Sequence, residues 1–406
     1  MGTVVRGSSV IDGTGTDPRL ADIVIDDGRI RSVDSLLEPS RDDAVIDASG
    51  LTVLPGLIDA HTHLGIVDLG GVGGTPVAVI AARIFQNCEL ALAAGFTTAR
   101  DCGGVDGGLA RAIDAGLVDG PRLFPSGPIL CQSGGHGDFR PPFVDHAHGV
   151  AVPGLVQTSI VCDGPEEVRV AARTALRRGA TQVKVCVSGG VVSLTDRLED
   201  TQFTVEELRA AVEEAEARET YVTAHAHNVR GIHNGLAGGV RCFEHGSFLD
   251  AETATALAEA GAWLVPTLAV ARLMSDEWQA WGLSADVLPR IARVEDAMTR
   301  AVKLAHDAGV LMGSGSDLIG PGQNRRGLEL VLKAKILGPM AAIVSATASN
   351  ARIIGASDSL GTLEQGKVAD LIALDGDPLT DPEVFDDPDR VVVVVKEGVV
   401  VKDARG

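Results

Sequence analysis

Positive charge is scarce in this chain, and lysine above all. Of 406 residues, 35 are lysine or arginine and 55 are aspartate or glutamate, which gives a formal net charge of −20. Seven of the basic residues are lysines, and Lys184 is the only lysine before Lys303. Because the surface is this acidic, neither nucleic acid nor an anionic membrane is expected as a partner.

Long apolar runs, secretory features and paired cysteines are also lacking. No apolar stretch approaches the roughly 20 residues that cross a bilayer. The N-terminus, MGTVVRGSSV, lacks the basic and apolar regions of a secretory signal. The six cysteines form no CxxC pair, so reduced thiols are expected. Together these absences predict a cytoplasmic protein.

What the chain has is a series of eight short apolar runs, each followed by a helical pattern. Four of the runs follow a glycine that ends the preceding helical pattern, as expected of a helix stop. Eight strand-then-helix units predict a (β/α)₈ TIM barrel over residues 55–356; a doubly wound sheet is the alternative, but eight units favour closure. The runs are LTVLPGLIDAHTH, GFTTARDCGG, RLFPSGPIL, TQVKVCVSGG, YVTAHAH, VRCFEHG, AWLVPTL and VLMGSGSD.

The two ends of the chain have a different pattern. Residues 1–54 and 357–406 alternate short apolar strands with turn residues such as Asp-Gly, which is typical of β-hairpins. We therefore predict that both ends pair into one small β-sandwich module beside the barrel.

The side chains capable of catalysis fall where the predicted strands end, the end at which barrel enzymes place their chemistry. The first strand ends in His61-Thr62-His63, and residues two apart on a strand share a face, so both imidazoles can reach one metal. Alone, such a pair is more often two ordinary polar residues. Imidazole with carboxylate suits zinc and other first-row divalent cations. Later strands place four further candidates at the same end: Lys184, His225, His245 and Asp317.

These motifs resemble the amidohydrolase superfamily along the whole chain. LPGLIDAHTHL, the lysine of the fourth strand, TAHAH, EHG, GSD and LGTLEQGKVADLIALDGDP occur in the order of that superfamily. SGGHGD at 133–138, with VKVCVSGGV and AHAH, resembles the branch of Xaa-Pro and Xaa-Arg dipeptidases (prolidase-like) and of ochratoxin and aryl-amide hydrolases.

The resemblance implies a site for two divalent metal ions, with zinc as the expected metal. His61, His63 and Asp317 would bind one ion. His225 and His245 would bind the other. Lys184 would carry a carbamate derived from CO₂ that bridges both ions. An isolated buried ammonium is costly, whereas a carbamate is an anion that two cations compensate. A lysine paired with a buried acid is the alternative.

The resemblance also implies the reaction. A hydroxide held between the two metals would attack an amide or peptide carbonyl, and Asp317 would carry the proton to the leaving amine. The expected substrate is a small molecule, a dipeptide or an N-acyl amino acid, and the expected assembly is a homo-oligomer.

Other residues are candidates for contacting the substrate. His136 lies in the glycine-rich loop CQSGGHGDFRPPF, and the resemblance implies that it hydrogen-bonds the substrate carbonyl or carboxylate. His227 should share the face of His225, at a position where some relatives have tyrosine. Arg140 and Arg230, together with His146 and His148, are candidates for contacting a carboxylate at the rim.

Three other functions stay open. The same site could hydrolyse an aryl amide, a carbamate or a lactone, it could be a mononuclear deaminase, or the chain could be a scaffold without metal. Lys184 argues against the mononuclear enzyme, because a single metal needs no bridging carbamate. The complete set of six ligands argues against the scaffold.

Overall fold

Short strands occupy both ends of the chain and recur between helices in its middle. The computed structural model describes residues 2–34, 43–68, 75–143, 151–193, 195–320 and 322–405. Its strands are β1 Thr3–Val10, β2 Arg19–Asp26, β3 Arg29–Asp34, β4 Ala44–Asp47, β5 Thr52–Pro55, β6 Leu57–Thr62, β7 Phe96–Asp101, β8 Gly104–Val105, β9 Arg122–Pro125, β10 Ile129–Cys131, β11 Ala151–Val152, β12 Val156–Gln157, β13 Ser159–Val161, β14 Val183–Cys186, β15 Val222–Ala226, β16 Cys242–His245, β17 Trp263–Val265, β18 Leu311–Met312, β19 Leu371–Leu374, β20 Val391–Lys396 and β21 Val399–Asp403.

The helices lie mainly between the strands of the middle region. They are α1 Val77–Ala93, α2 Gly107–Asp114, α3 Pro165–Arg177, α4 Val205–Glu216, α5 Val229–Gly238, α6 Ala251–Glu259, α7 Leu268–Asp276, α8 Leu288–Asp307, α9 Leu328–Leu337, α10 Pro339–Val344 and α11 Asn350–Ile353. A π-helical turn, Ser345–Ser349, precedes α11. Among the described residues, no helix combines the length and the apolarity needed to cross a bilayer.

Glycines end helices where the sequence predicts a stop. Helices α1, α3, α6 and α8 are each followed within two residues by a glycine in the left-handed region, with φ between 61° and 95°. These glycines are Gly95, Gly179, Gly261 and Gly309. The stops return the chain to the next strand after a short connection, which produces the regular strand–helix alternation.

Most strands of the middle region run parallel in two ladders, while β8, β11 and β12 form a small antiparallel sheet. One has the order β6-β7-β9 and the other β13-β10-β14-β15-β16-β17-β18. The parallel sheet with covering helices is as predicted. Two details differ: residues 122–130, expected as one strand, form β9 and β10, and the first run splits so that β5 joins the terminal sheet while β6 starts the parallel one.

Buried apolar side chains attach the helices to these strands. Ala172 of α3 and Leu208 of α4 pack in one core with Val185 of β14. All residues of β14 and β15 are buried, as expected for parallel strands covered by helices. The strand ends are thereby held at fixed positions.

Strands from both chain ends form one sheet. Its order is β21-β20-β19-β5-β1-β2-β3, with β4 paired to β1, and β19 lies antiparallel to β5. This sheet has its own apolar core, which includes Ile23, Val53 and Val393. Backbone hydrogen bonds therefore join strands from the two ends of the chain.

Candidate active site

The histidine pair that follows the first parallel strand faces Asp317. The Nε2 atoms of His61 and His63 are 3.3 Å apart. Asp317 Oδ1 lies 3.4 Å from Nε2 of His61 and 3.2 Å from Nε2 of His63. Backbone contact reinforces the pairing, because the amide of Asp317 donates to the carbonyl of His61 at 2.7 Å.

A second histidine pair lies beside the first. His225 Nδ1 and His245 Nε2 are 2.8 Å apart. The rings of His61 and His245 are 5.0 Å apart, centroid to centroid, and His245 Nδ1 lies 3.6 Å from Asp317 Oδ2. His61, His245 and Asp317 each offer a ligand atom within 4.8 Å of the others, a spacing suited to a shared cation.

Each of these four imidazoles has one nitrogen held by a neighbour and the other directed at the cluster. The held nitrogens bond as follows: His61 Nδ1 to Glu244 Oε2 at 2.6 Å, His63 Nδ1 to the Gly103 carbonyl at 2.8 Å, His225 Nε2 to the Gly189 carbonyl at 3.2 Å, and His245 Nδ1 to Thr267 Oγ1 at 2.8 Å. A partner on one nitrogen fixes the ring and leaves the opposite nitrogen available as a ligand.

Lys184 lies in the middle of β14 and is 2% exposed. Within the described part of the chain, its Nζ has no hydrogen-bond partner. Its charge acts on the cluster nonetheless: burial and then Lys184 lower the pKa of His61. A buried side-chain nitrogen without a hydrogen-bond partner is unusual in a protein interior.

The electrostatics of the cluster favour the neutral form of three imidazoles, those of His61, His225 and His245. Burial would lower the pKa of His63 as well, but the hydrogen bond and charge of Asp317 raise it. Burial, followed by neighbouring imidazoles, lowers the pKa of His225 and of His245 well below the ordinary value. Burial alone would raise the pKa of Asp317, but His61, His63 and Lys184 together hold it below its usual range. Neutral imidazole and ionised carboxylate are the forms that bind metal.

Two residues of the cluster have left-handed backbone conformations. His245 has φ of 67° and Asp317 has φ of 56°, although neither is glycine. Such conformations cost of the order of 1–3 kcal/mol each and persist where the surroundings impose them. At His245 the turn lets two consecutive side chains, Glu244 and His245, both reach the cluster.

The two further histidines predicted near the substrate lie against the cluster, with His227 buried and His136 half-buried. The ring of His136 stacks on His225 with centroids 4.1 Å apart, and its Nδ1 contacts the Ser193 hydroxyl. His227 Nδ1 bonds Ser247 Oγ at 2.8 Å, and its ring stacks on His245 at 5.0 Å. Burial and then His136 lower the pKa of His227 to about 3.

The predicted rim residues are not part of this cluster. Arg140 pairs with Asp138, with Nη2 2.6 Å from Oδ2. Arg230 is exposed in the first turn of α5, and no hydrogen bond or ion pair joins it to another described residue. His146 and His148 lie outside the described residues.

Several residues that hold the cluster were not singled out from the sequence. Glu244 and Arg100 form a fully buried ion pair with 2.6 Å between Oε1 and Nη2. Asp59 and Arg326 form another, also at 2.6 Å. A signal existed for Asp59, because it lies two residues before His61 and so shares its face.

The sequence over nearly the whole chain matches one family. A model of the amidohydrolase family matches residues 52–401. The chain belongs to this family. The resemblance seen in the sequence is thereby confirmed, and with it the assignment of the chain as a hydrolase.

Relatives of known structure share the fold at high coverage. Ochratoxinase of Aspergillus niger is 34% identical over 417 aligned residues, which span 98% of this chain and 86% of that enzyme. Its crystal structure matches with a TM-score of 0.86 over 99% of this chain and 96% of that one, at 32% identity.

Two solved structures of dipeptidases match as well. A prolidase in complex with N-methylphosphonate-L-proline is 38% identical, with a TM-score of 0.93 over 99% of this chain and 100% of that one. A Xaa-Pro dipeptidase with bound methionine is 31% identical, with a TM-score of 0.88 over 99% and 100% of the two chains.

Proposed function

We propose that the protein is a binuclear metal-dependent hydrolase that cleaves the amide bond of dipeptides or N-acyl amino acids. One observation carries the proposal: four buried imidazoles, each held at one nitrogen, direct their other nitrogens at each other beside a lysine without a partner. The similarity to a prolidase and a Xaa-Pro dipeptidase supports the substrate class.

The donor set suits two divalent cations. His61, His63 and Asp317 would hold the first, and His225 with His245 would hold the second. The orphaned Nζ of Lys184 would suit a carbamate, because its two anionic oxygens could bind the cations, which would then compensate the buried negative charge. Nitrogen and oxygen donors of this kind suit zinc, and also manganese or cobalt.

The reaction follows from the protonation states of the site. When bound, the cations polarise the substrate carbonyl and lower the pKa of a water molecule toward neutrality. Asp317, held ionised, accepts the proton of the attacking water and delivers it to the leaving nitrogen. The bond to nitrogen breaks, and a carboxylate and an amine leave.

Residues beside the cluster would position the substrate. His136 and His227 present imidazole nitrogens next to the metal ligands and can hydrogen-bond the carbonyl or carboxylate of the substrate. Arg140 and Arg230 would attract a carboxylate at the rim.

We also assign residues 55–356 to a closed (β/α)₈ barrel, with residues 1–54 and 357–406 as a β-sandwich beside it. Backbone hydrogen bonds between the two parallel ladders support closure: Ala60 N to Ser314 O at 3.0 Å and Thr181 N to Pro125 O at 2.8 Å. A crystal structure with a solvent-exposed ladder edge at either junction would contradict the barrel.

The decisive experiment combines metal analysis with a substrate screen. Metal-loaded wild-type protein should contain about two divalent ions per chain and hydrolyse members of a dipeptide and N-acyl amino acid library. Lys184→Ala should lose metal and activity, with partial recovery in short carboxylic acids that supply the missing bridge.

Val185→Ala is the matched control, because it shortens the next residue of the same strand, which is also buried. It should keep its metal content. A firm value of one ion per chain, or full turnover by Lys184→Ala, would contradict the binuclear site.

A further inference from the structure

Glu244 lies at the centre of a buried network that spans four parallel strands. The residue is fully buried in β16 and precedes the cluster residue His245. Its carboxylate accepts hydrogen bonds from Arg100 of β7, Thr223 of β15 and His61 of β6.

The two oxygens of this carboxylate have different hydrogen-bond partners. Oε1 accepts from Arg100 Nη2 at 2.6 Å, from the Thr223 hydroxyl and from Cys242 Sγ at 3.3 Å. Oε2 contacts His61 Nδ1 at 2.6 Å. Three donors thus fix the orientation of the carboxylate, and the remaining oxygen is directed at one imidazole nitrogen.

Arg100 keeps the carboxylate ionised. Its guanidinium is fully buried and also donates to the carbonyl of Ala60, next to His61 in the chain. Its Nη2 lies 2.6 Å from Oε1 of Glu244, so the carboxylate faces a buried and permanently charged cation. An ionised Oε2 can only accept, so His61 must carry its proton on Nδ1.

We propose that Glu244, held by Arg100, is a positioning residue that fixes the tautomer of His61 and keeps its Nε2 lone pair directed at the metal site. The proposal rests on the proposed function in one respect, because it takes Nε2 of His61 as a metal ligand. The geometry itself, Nε2 facing His63 and Asp317, is independent of any bound ion.

Glu244→Gln makes the proposal testable, because an amide has only one accepting oxygen. If that oxygen stays with Arg100 and Thr223, the amide NH₂ faces His61 Nδ1 and donates to it. His61 must then move its proton to Nε2, which removes the lone pair from the metal side.

The test uses the metal-free and metal-loaded full chain. Long-range ¹H–¹⁵N spectra of the histidine rings should show His61 protonated on Nδ1 in wild type and on Nε2 in Glu244→Gln. Metal titration should show affinity for one of the two ions falling about 10- to 100-fold, the usual effect of losing such a partner.

Glu329→Gln is the matched control, since it makes the same change at another buried glutamate, 1% exposed, whose Oε2 accepts from Ala269 N at 2.9 Å. It should leave the His61 spectrum and metal affinity unchanged. Glu244→Asp keeps the carboxylate beside Arg100 but withdraws its oxygen from His61. It should therefore lower the affinity for the same metal ion.

If Glu244→Gln has the histidine spectra and the metal affinity of wild type, the proposal is wrong. If that variant does not fold, the same result in Glu244→Asp overturns it. A third outcome separates the two proposals: wild type binds no metal, but Glu244→Gln still inverts the tautomer of His61. In that case Glu244 positions His61, and the proposed metal-dependent hydrolase is wrong.

Discussion

Replacing Arg326 by methionine should destabilise the protein strongly, although the residue touches no candidate ligand side chain. The guanidinium is fully buried and donates to Asp59 Oδ2 at 2.6 Å and to Thr62 Oγ1 at 2.6 Å. Asp59 in turn accepts from the amide of His61 at 3.2 Å and the amide of Ser316 at 2.9 Å. The ion pair therefore joins the strand of His61 to the segment that carries Asp317.

The expected loss of unfolding free energy in Arg326→Met follows from the unpaired Asp59 that remains. Asp59 is 1% exposed, and its carboxylate would lose the guanidinium that pairs with it, which leaves neutral donors around it. Removing one partner of a buried pair costs about 3–5 kcal/mol of unfolding free energy. Adding Asp59→Asn removes the stranded charge, while the asparagine oxygen still accepts from both amides. The double variant should recover about 2 kcal/mol.

The assay is urea unfolding of the metal-free protein, followed by circular dichroism, for wild type, both single variants and the double variant. Midpoint and slope are both needed, because a chain of this length can unfold in more than one step. A loss below about 1 kcal/mol in Arg326→Met, or strict additivity in the double variant, would refute the reasoning.

Three further predictions concern the site itself. Zinc at about 100 times its Kd should stabilise folded wild type by about 2.7 kcal/mol per site, which a thermal melt detects as a higher melting temperature. Lys184→Ala should lose this rise. An equal rise in both proteins would argue against Lys184 as a ligand. His227→Tyr should change the ratio of kcat/KM between dipeptide substrates more than metal content, and unchanged ratios would remove His227 from the pocket. Gly190→Ala would place a Cβ 2.1 Å from His136 Cε1 and should lower kcat/KM about tenfold or more through displacement of that ring, without loss of metal; wild-type kinetics would contradict this.

The sequence predicts the framework well because its signals are local. Glycine stops, apolar runs and the period-two spacing of His61 and His63 each depend on neighbours in the chain. The split of the third predicted strand into β9 and β10 was missed because RLFPSGPIL reads as one apolar run. Sequence alone gives no reason for the left-handed backbone at His245, since that conformation favours glycine, asparagine and aspartate.

Long-range partners account for what local patterns could not predict. Glu244 belongs to the EHG motif, yet its contact with His61 joins residues 183 positions apart. Arg100 sits in the run GFTTARDCGG, where a cation inside an apolar strand was a signal of the same kind as Lys184. Its partner was not predictable, because which side chains meet across the sheet depends on how the strands are ordered.

Three unfavourable features of the described structure lie together at one end of the parallel strands, although other non-glycine residues with left-handed backbones, such as Phe203 and Glu219, lie elsewhere. His245 and Asp317 have left-handed backbones, and the buried Nζ of Lys184 has no hydrogen-bond partner. Each such feature costs of the order of 1–3 kcal/mol, against a typical net stability of about 5–15 kcal/mol. Apolar packing alone gives no reason to collect such costs in one place. Binding of cations does, because positive charge at this point would compensate the carboxylate of Asp317 and a carbamate on Lys184 together, and the fixed backbone would hold both ready for it.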